Sequence, residues 1–207
     1  NKLQKSFWRT AKIKISTMIF PYLTVNSNNY LNSLFNEKIN IFDKKLIITI
    51  SALYPTKRKG FDIMLKYLKN LNNLILEDNR KKIEVNIITR EDSIDFEKFS
   101  NKNLKFNYHN ILDKKAFEIM LAKSHLFLSF SRADSGPFTL NMCYYLKTFI
   151  LSFRVGVATE IEKKTKSIRV INDFSSENMA KQTLKIMNES TQNIKNILSY
   201  KIENLWI

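Results

Sequence analysis

From Leu46 onward the chain alternates short β-branched runs with stretches of helical periodicity, and that alternation leaves few architectures open. Leu46 to Ser51 reads as a buried strand, followed by the turn Tyr54-Pro55-Thr56-Lys57-Arg58-Lys59-Gly60. Phe61, Met64, Leu65, Leu68, Leu71, Ile75 and Leu76 then recur on one helix face. Val85 to Thr89 and Leu104 to Tyr108 read as the next two strands. Phe117, Met120 and Leu121 mark a helix that Asp113 can cap, and Leu126 to Ser131 reads as a fourth strand. Phe138 to Leu146 is apolar on nearly all sides and is predicted to be a buried helix. Phe149 to Phe153 and Ile168 to Ile171 supply two further strands. Strands separated by helices at this spacing predict a doubly wound α/β domain, a parallel Rossmann-like sheet covered on both faces.

The turns of this scaffold carry the chemistry. The chain has only three glycines, and all three fall between predicted elements, at Gly60, Gly136 and Gly156. Asp134-Ser135-Gly136-Pro137 lies between the fourth strand and the helix after it. Such a turn aims the free N–H groups of a helix N-terminus at whatever sits above the strand ends, and phosphate is the favoured ligand there. Lys57, Arg58 and Lys59 place three cations on the turn after the first strand, where they either grip an anion or form a solvated surface.

Composition narrows the partners without choosing one. A net charge of +15 suits a nucleoside diphosphate, an anionic lipid surface or a nucleic acid, although a general Lys/Asn/Ile bias accounts for much of the excess. The single cysteine, Cys143, lies in an apolar run, which excludes a disulfide framework and points to a buried thiol in a reducing compartment. No uninterrupted apolar run is long enough to span a bilayer, so the chain is expected to be cytoplasmic, with peripheral association at the inner face of a membrane left open.

The order strand, Lys-Arg-Lys-Gly-Phe-Asp, helix, then Asp-Ser-Gly-Pro, helix, strand and Phe-x-x-Gly-Val-Ala resembles the C-terminal, donor-binding domain of retaining glycosyltransferases built from two Rossmann-like domains, the group 1 or family 4-like enzymes. The resemblance covers about residues 46–188. It implies that Arg58 and Lys59, with Lys57 as a substitute, hold the donor diphosphate beside Gly60. It also implies that Asp134 is the catalytic carboxylate near the donor sugar, and that Ser135, Gly136 and Pro137 bring backbone close to the donor. The donor would be a UDP- or GDP-sugar, no further cofactor is implied, and a hexose would pass with retention to a glycan or lipid-linked acceptor.

Two positions depart from the pattern. The second carboxylate of the family's acidic motif, which holds the ribose, would fall at position 142, where this chain has Met142. A thioether cannot accept two hydroxyl donors, and Asn141, one place earlier, takes the role only with a shift of register. Lys147 stands where the family keeps a small residue, commonly Gly. Gly156 is explained as well by a left-handed turn as by a place beside the site. His109 and His125 read as structural or surface residues, and no Cys/His cluster or acidic triplet suggests a metal.

The domains implied are 1–45, an N-terminal segment with an Asn/Ser-rich linker over 25–36, left from a domain upstream of Asn1; 46–188, the nucleotide-sugar-binding domain; and 189–207, a C-terminal helix. The final helices are expected to pack only partly on the domain, with Leu205, Trp206 and Ile207 presenting apolar surface to the other domain. Met142 and Lys147 keep a catalytically degenerate binding or scaffold module open as the alternative. A nucleic-acid-binding module, suggested by charge and aromatic content, ranks behind both, and no nucleic acid is expected as a partner.

Overall fold

The structure is a computed structural model that describes residues 28–75, 81–134, 138–156 and 158–199. Helix α1 (Asn28–Ile41) leads into strand β1 (Lys45–Ser51). Helix α2 (Phe61–Ile75), β2 (Lys82–Ile88), a 3-10 turn (Phe96–Phe99) and β3 (Leu104–His109) follow. The second half runs α3 (Lys114–Lys123), β4 (Leu126–Ser129), α4 (Phe138–Tyr145), β5 (Phe149–Phe153), α5 (Ala158–Glu162) and β6 (Ile168–Ile171). Helices α6 (Ser176–Met187) and α7 (Thr191–Ser199) close the described chain. The predicted α/β class and all six strands are present. Every strand pairing is parallel, and the strand order is β3-β2-β1-β4-β5-β6.

Alternation along the central strands feeds two cores. On one face Leu46, Ile48 and Ile50 of β1 join Leu126 and Leu128 of β4 and Leu151 and Phe153 of β5, against α2, α6 and α7. On the other face Phe127 and Ile150 pack with Leu121, Leu140, Met142, Cys143 and Ile161. Because both faces are covered, the strands read as continuous apolar runs rather than as alternating ones. Asp113 caps α3 as expected, its side chain accepting from the Ala116 N–H at 2.8 Å.

Three expectations are corrected. Residues 28–41 form a helix, not a linker. Leu31, Leu34, Phe35, Ile39 and Phe42 recur at helical spacing and pack into the two cores, and the abundant asparagines mask that stripe. Helix α4 is buried on one side only, through Leu140, Met142 and Cys143, while Phe138 and Tyr145, seven residues apart on one face, stay exposed. Apolar character does not by itself dictate burial. The last helices pack firmly: α6 buries Met179, Ala180, Ile186 and Met187, and α7 buries Ile194 and Leu198. Leu205, Trp206 and Ile207 lie outside the described residues.

The amino-terminal edge of the sheet is locked by a buried polar network. Lys38 of α1 donates from Nζ to the carbonyls of Ser124 at 3.0 Å and Lys147 at 2.7 Å, joining the ends of α3 and α4. Burial pulls its ammonium down to about 7. His125 accepts from the Ile47 N–H through Nδ1 at 2.9 Å and donates from Nε2 to the Lys38 carbonyl at 2.6 Å. Those two bonds require the neutral ring, and burial lowers its pKa to about 4. His125 is thus the structural histidine expected.

Candidate functional site

The strand order reverses between β1 and β4, the switch point over whose carboxyl ends a doubly wound sheet collects its ligands, and two loops wall the candidate site there. One wall is the turn after β1. Its residues close through Gly60 N–H to the Lys57 carbonyl at 3.0 Å and Lys59 N–H to Thr56 Oγ1 at 3.3 Å, and α2 starts at once. The other wall is the segment 130–134 that leaves β4.

Four contacts join the walls residue by residue. The Arg132 N–H donates to the Arg58 carbonyl at 2.9 Å, and Arg132 Nη1 donates to the Lys57 carbonyl at 2.6 Å. Arg58 Nη1 reaches the Ala133 carbonyl at 3.4 Å. Lys59 Nζ meets Asp134 Oδ2 at 2.6 Å, in a pair largely screened from solvent. Gly60 makes this closeness possible. Its φ is +71°, and a Cβ added there would lie 1.8 Å from the Phe130 carbonyl oxygen.

Beneath the turn, Arg132 forms a fork with Asp62 in the first turn of α2, at 2.6 Å and 2.7 Å. Hydrogen bonds from Arg132 hold the Asp62 carboxyl below its usual range, and the same contact raises the guanidinium pKa. Sequence reasoning missed both residues. Asp62 follows the singled-out turn and Arg132 precedes the singled-out Asp134, but nothing local announces a pair 70 positions apart.

The structure therefore brings Lys57, Arg58, Lys59, Gly60 and Asp134 together at one edge of the sheet. Ser135, Gly136 and Pro137 lie outside the described residues. Asn141 is half-buried on α4. Met142 is 3% exposed among apolar neighbours, so position 142 offers no polar group to a ribose. Lys147 takes the left-handed conformation, φ +55°, that glycine would adopt more cheaply, with its ammonium 4.6 Å from the Phe35 ring centre. Gly156 is also left-handed, φ +52°, which agrees with the turn explanation. His109, at the end of β3, has its pKa lowered by burial, and its Nε2 lies 3.4 Å from Asn86 Oδ1.

Three of the exposed aromatics follow strand ends on this edge, Tyr54 after β1, Phe138 after β4 and Phe174 after β6, with Arg90 stacked 5.1 Å from the Tyr54 ring centre. Among the described residues no group of three His, Cys, Asp or Glu side chains could hold a metal ion, and no helix is long and apolar enough to cross a membrane.

Neither a family model nor a curated protein matches the sequence. Solved structures do match the fold. WaaG, a glycosyltransferase involved in lipopolysaccharide biosynthesis, superposes with a TM-score of 0.62 at 15% identity, over 97% of this chain and 57% of that one. The C-terminal domain of LpcC, a glycosyl transferase group 1 family protein from Francisella tularensis, gives 0.55 at 16% identity, over 90% of this chain and all of that domain. A UDP-forming trehalose-phosphate synthase from Burkholderia xenovorans gives 0.57 at 7% identity, over 82% of this chain and 44% of that one. The chain has the Rossmann-like fold of these glycosyltransferase domains and spans little more than half the length of WaaG.

Proposed function

We propose that this domain binds the nucleotide-sugar donor of a retaining hexosyltransferase, with a uridine or guanosine diphosphate over the carboxyl ends of β1 and β4. The observation that carries the proposal is the joining of Arg58 and Lys59 to the Asp134 segment at the switch point of the sheet, in a fold shared with glycosyltransferases. In this reading the two cations face the diphosphate and Asp134 faces the sugar. As the glycosidic bond to phosphate breaks, charge grows on the leaving diphosphate, and fixed cations at the edge stabilise it. The side chains act by positioning and electrostatics rather than as covalent nucleophiles. The acceptor, a glycan or lipid-linked sugar, would meet the donor from a second domain across the cleft, as the partial coverage of WaaG suggests.

The Lys59–Asp134 ion pair fits this role, since it keeps the ammonium in place and partly neutralised until a diphosphate with greater charge competes for it. Calorimetric titration of UDP and GDP into the wild type and Lys59→Ala tests the reading. A charge-assisted contact is typically worth about 1.5–3 kcal/mol, so the variant should bind roughly 10–150-fold more weakly. Absence of binding to the wild type would reject it. The apolar setting of Met142 favours a second reading, a degenerate module that keeps the fold without turnover. A folded wild type that binds neither UDP nor GDP would favour that one.

A further inference from the structure

We propose that Arg132, fixed by Asp62, is a positioning residue that sets the height and tilt of the Lys57 to Gly60 turn, so that Arg58 and Lys59 reach a donor diphosphate; this rests on the donor-binding reading above. Arg132 touches the turn twice, from its N–H to the Arg58 carbonyl at 2.9 Å and from Nη1 to the Lys57 carbonyl at 2.6 Å. Its Nη1 and Nη2 also meet the two carboxylate oxygens of Asp62 at 2.6 Å and 2.7 Å. The planar guanidinium therefore bridges three elements: the β4 exit, the turn and the first turn of α2.

The arginines of the turn and of the β4 exit have different work. Arg58 Nη1 makes a long contact of 3.4 Å and can swing toward an anion with little loss. Arg132 is committed in a fork whose charge Asp62 already neutralises, so moving it to a ligand would take the guanidinium from both Asp62 oxygens and from the Lys57 carbonyl. A lysine cannot replace it, because a point ammonium cannot hold both carboxylate oxygens and the Lys57 carbonyl in one plane. Positional error in the turn translates directly into lost contact with the diphosphate, since charge-assisted bonds depend steeply on distance.

The test uses UDP as probe on the full chain and three variants, Asp62→Asn, Arg132→Lys and the double variant, by calorimetry with thermal unfolding alongside. Amide hydrogen exchange at Gly60 and Phe61 provides an independent readout of the turn. If Arg132 positions the turn, both single variants bind UDP about tenfold more weakly, the double variant binds no worse than the weaker single, and the two amides exchange faster while strand amides do not. Tighter binding by Asp62→Asn would overturn the proposal, because a released Arg132 would then be a phosphate ligand itself. Unchanged affinity and exchange in both single variants would overturn it too, leaving the fork a surface ion pair. Failure of the wild type to bind UDP would remove the donor-binding reading and this proposal together, and so is distinguishable from the other two results.

Discussion

Replacing Gly60 with alanine perturbs two things that the structure couples. The residue sits at φ +71°, which costs an L side chain about 1–2 kcal/mol in the left-handed region. The new methyl would also start 1.8 Å from the Phe130 oxygen, whereas real Cβ contacts essentially never fall below 3.0 Å, so turn and strand exit must part by at least the 1.2 Å difference. The obstacle is backbone at the mouth of β4 and cannot rotate away. A separation of that size breaks the Arg132 N–H bond to the Arg58 carbonyl, now 2.9 Å, and weakens the Nη1 bond to Lys57, now 2.6 Å. A neutral bond contributes about 1 kcal/mol and one from a charged donor about 1.5–3 kcal/mol. Gly60→Ala should therefore destabilise the fold by about 4 kcal/mol, read as a lower urea midpoint at constant slope. Loss of the segment joint should also weaken UDP binding more than the stability change alone explains. A variant within about 1 kcal/mol of wild type would refute the close-approach argument, since the cost of the backbone conformation by itself already reaches that value.

Burial holds the His125 ring down to about 4 from its ordinary 6.5, so the unfolded chain takes up a proton first as pH falls. Stability should be fully present above pH 6.5 and decline by about 3 kcal/mol as pH falls through 6.5 to 4, a limb that His125→Gln flattens in urea titrations. Phe35→Ala on α1 should cost about 3 kcal/mol by the same assay, whereas a linker at residues 25–36 predicts no change. Met142→Glu should unfold the domain more readily, by about 3 kcal/mol, because it drives a carboxylate into the cluster of Leu140, Cys143 and Ile161. Tighter UDP binding by that variant, with an unchanged midpoint, would show that position 142 faces the ligand.

Most of the fold was legible because each central strand is a short apolar run bounded by polar turns, which a parallel sheet covered on both faces imposes. Helix α1 was not, because its apolar stripe is spread over a sequence crowded with asparagine, a weak helix former. What holds it down is partly Lys38, and a lysine in sequence carries no sign that its ammonium will be buried under the Ser124 and Lys147 carbonyls. The exposure of Phe138 and Tyr145 was equally hidden, since the helix they belong to is apolar on nearly all sides and only the tertiary arrangement says which side is left uncovered.

The candidate site divides along the same line. Lys59, Gly60 and Asp134 could be singled out from residue type and from their positions after two strands, because cations, a left-handed turn and a carboxylate each have a local chemical rationale. Arg132 and Asp62 have none until β1 and β4 are set side by side. Their fork depends on the register that pairs Ile48 with Leu126 and Ile50 with Leu128. A slip of the two strands by one residue would move the β4 exit by about 3.3 Å relative to the turn, further than any of the four contacts tolerates. The apolar interior that fixes this register, Ile48 and Ile50 against Leu126 and Leu128, is therefore also what aligns the cations with the carboxylate.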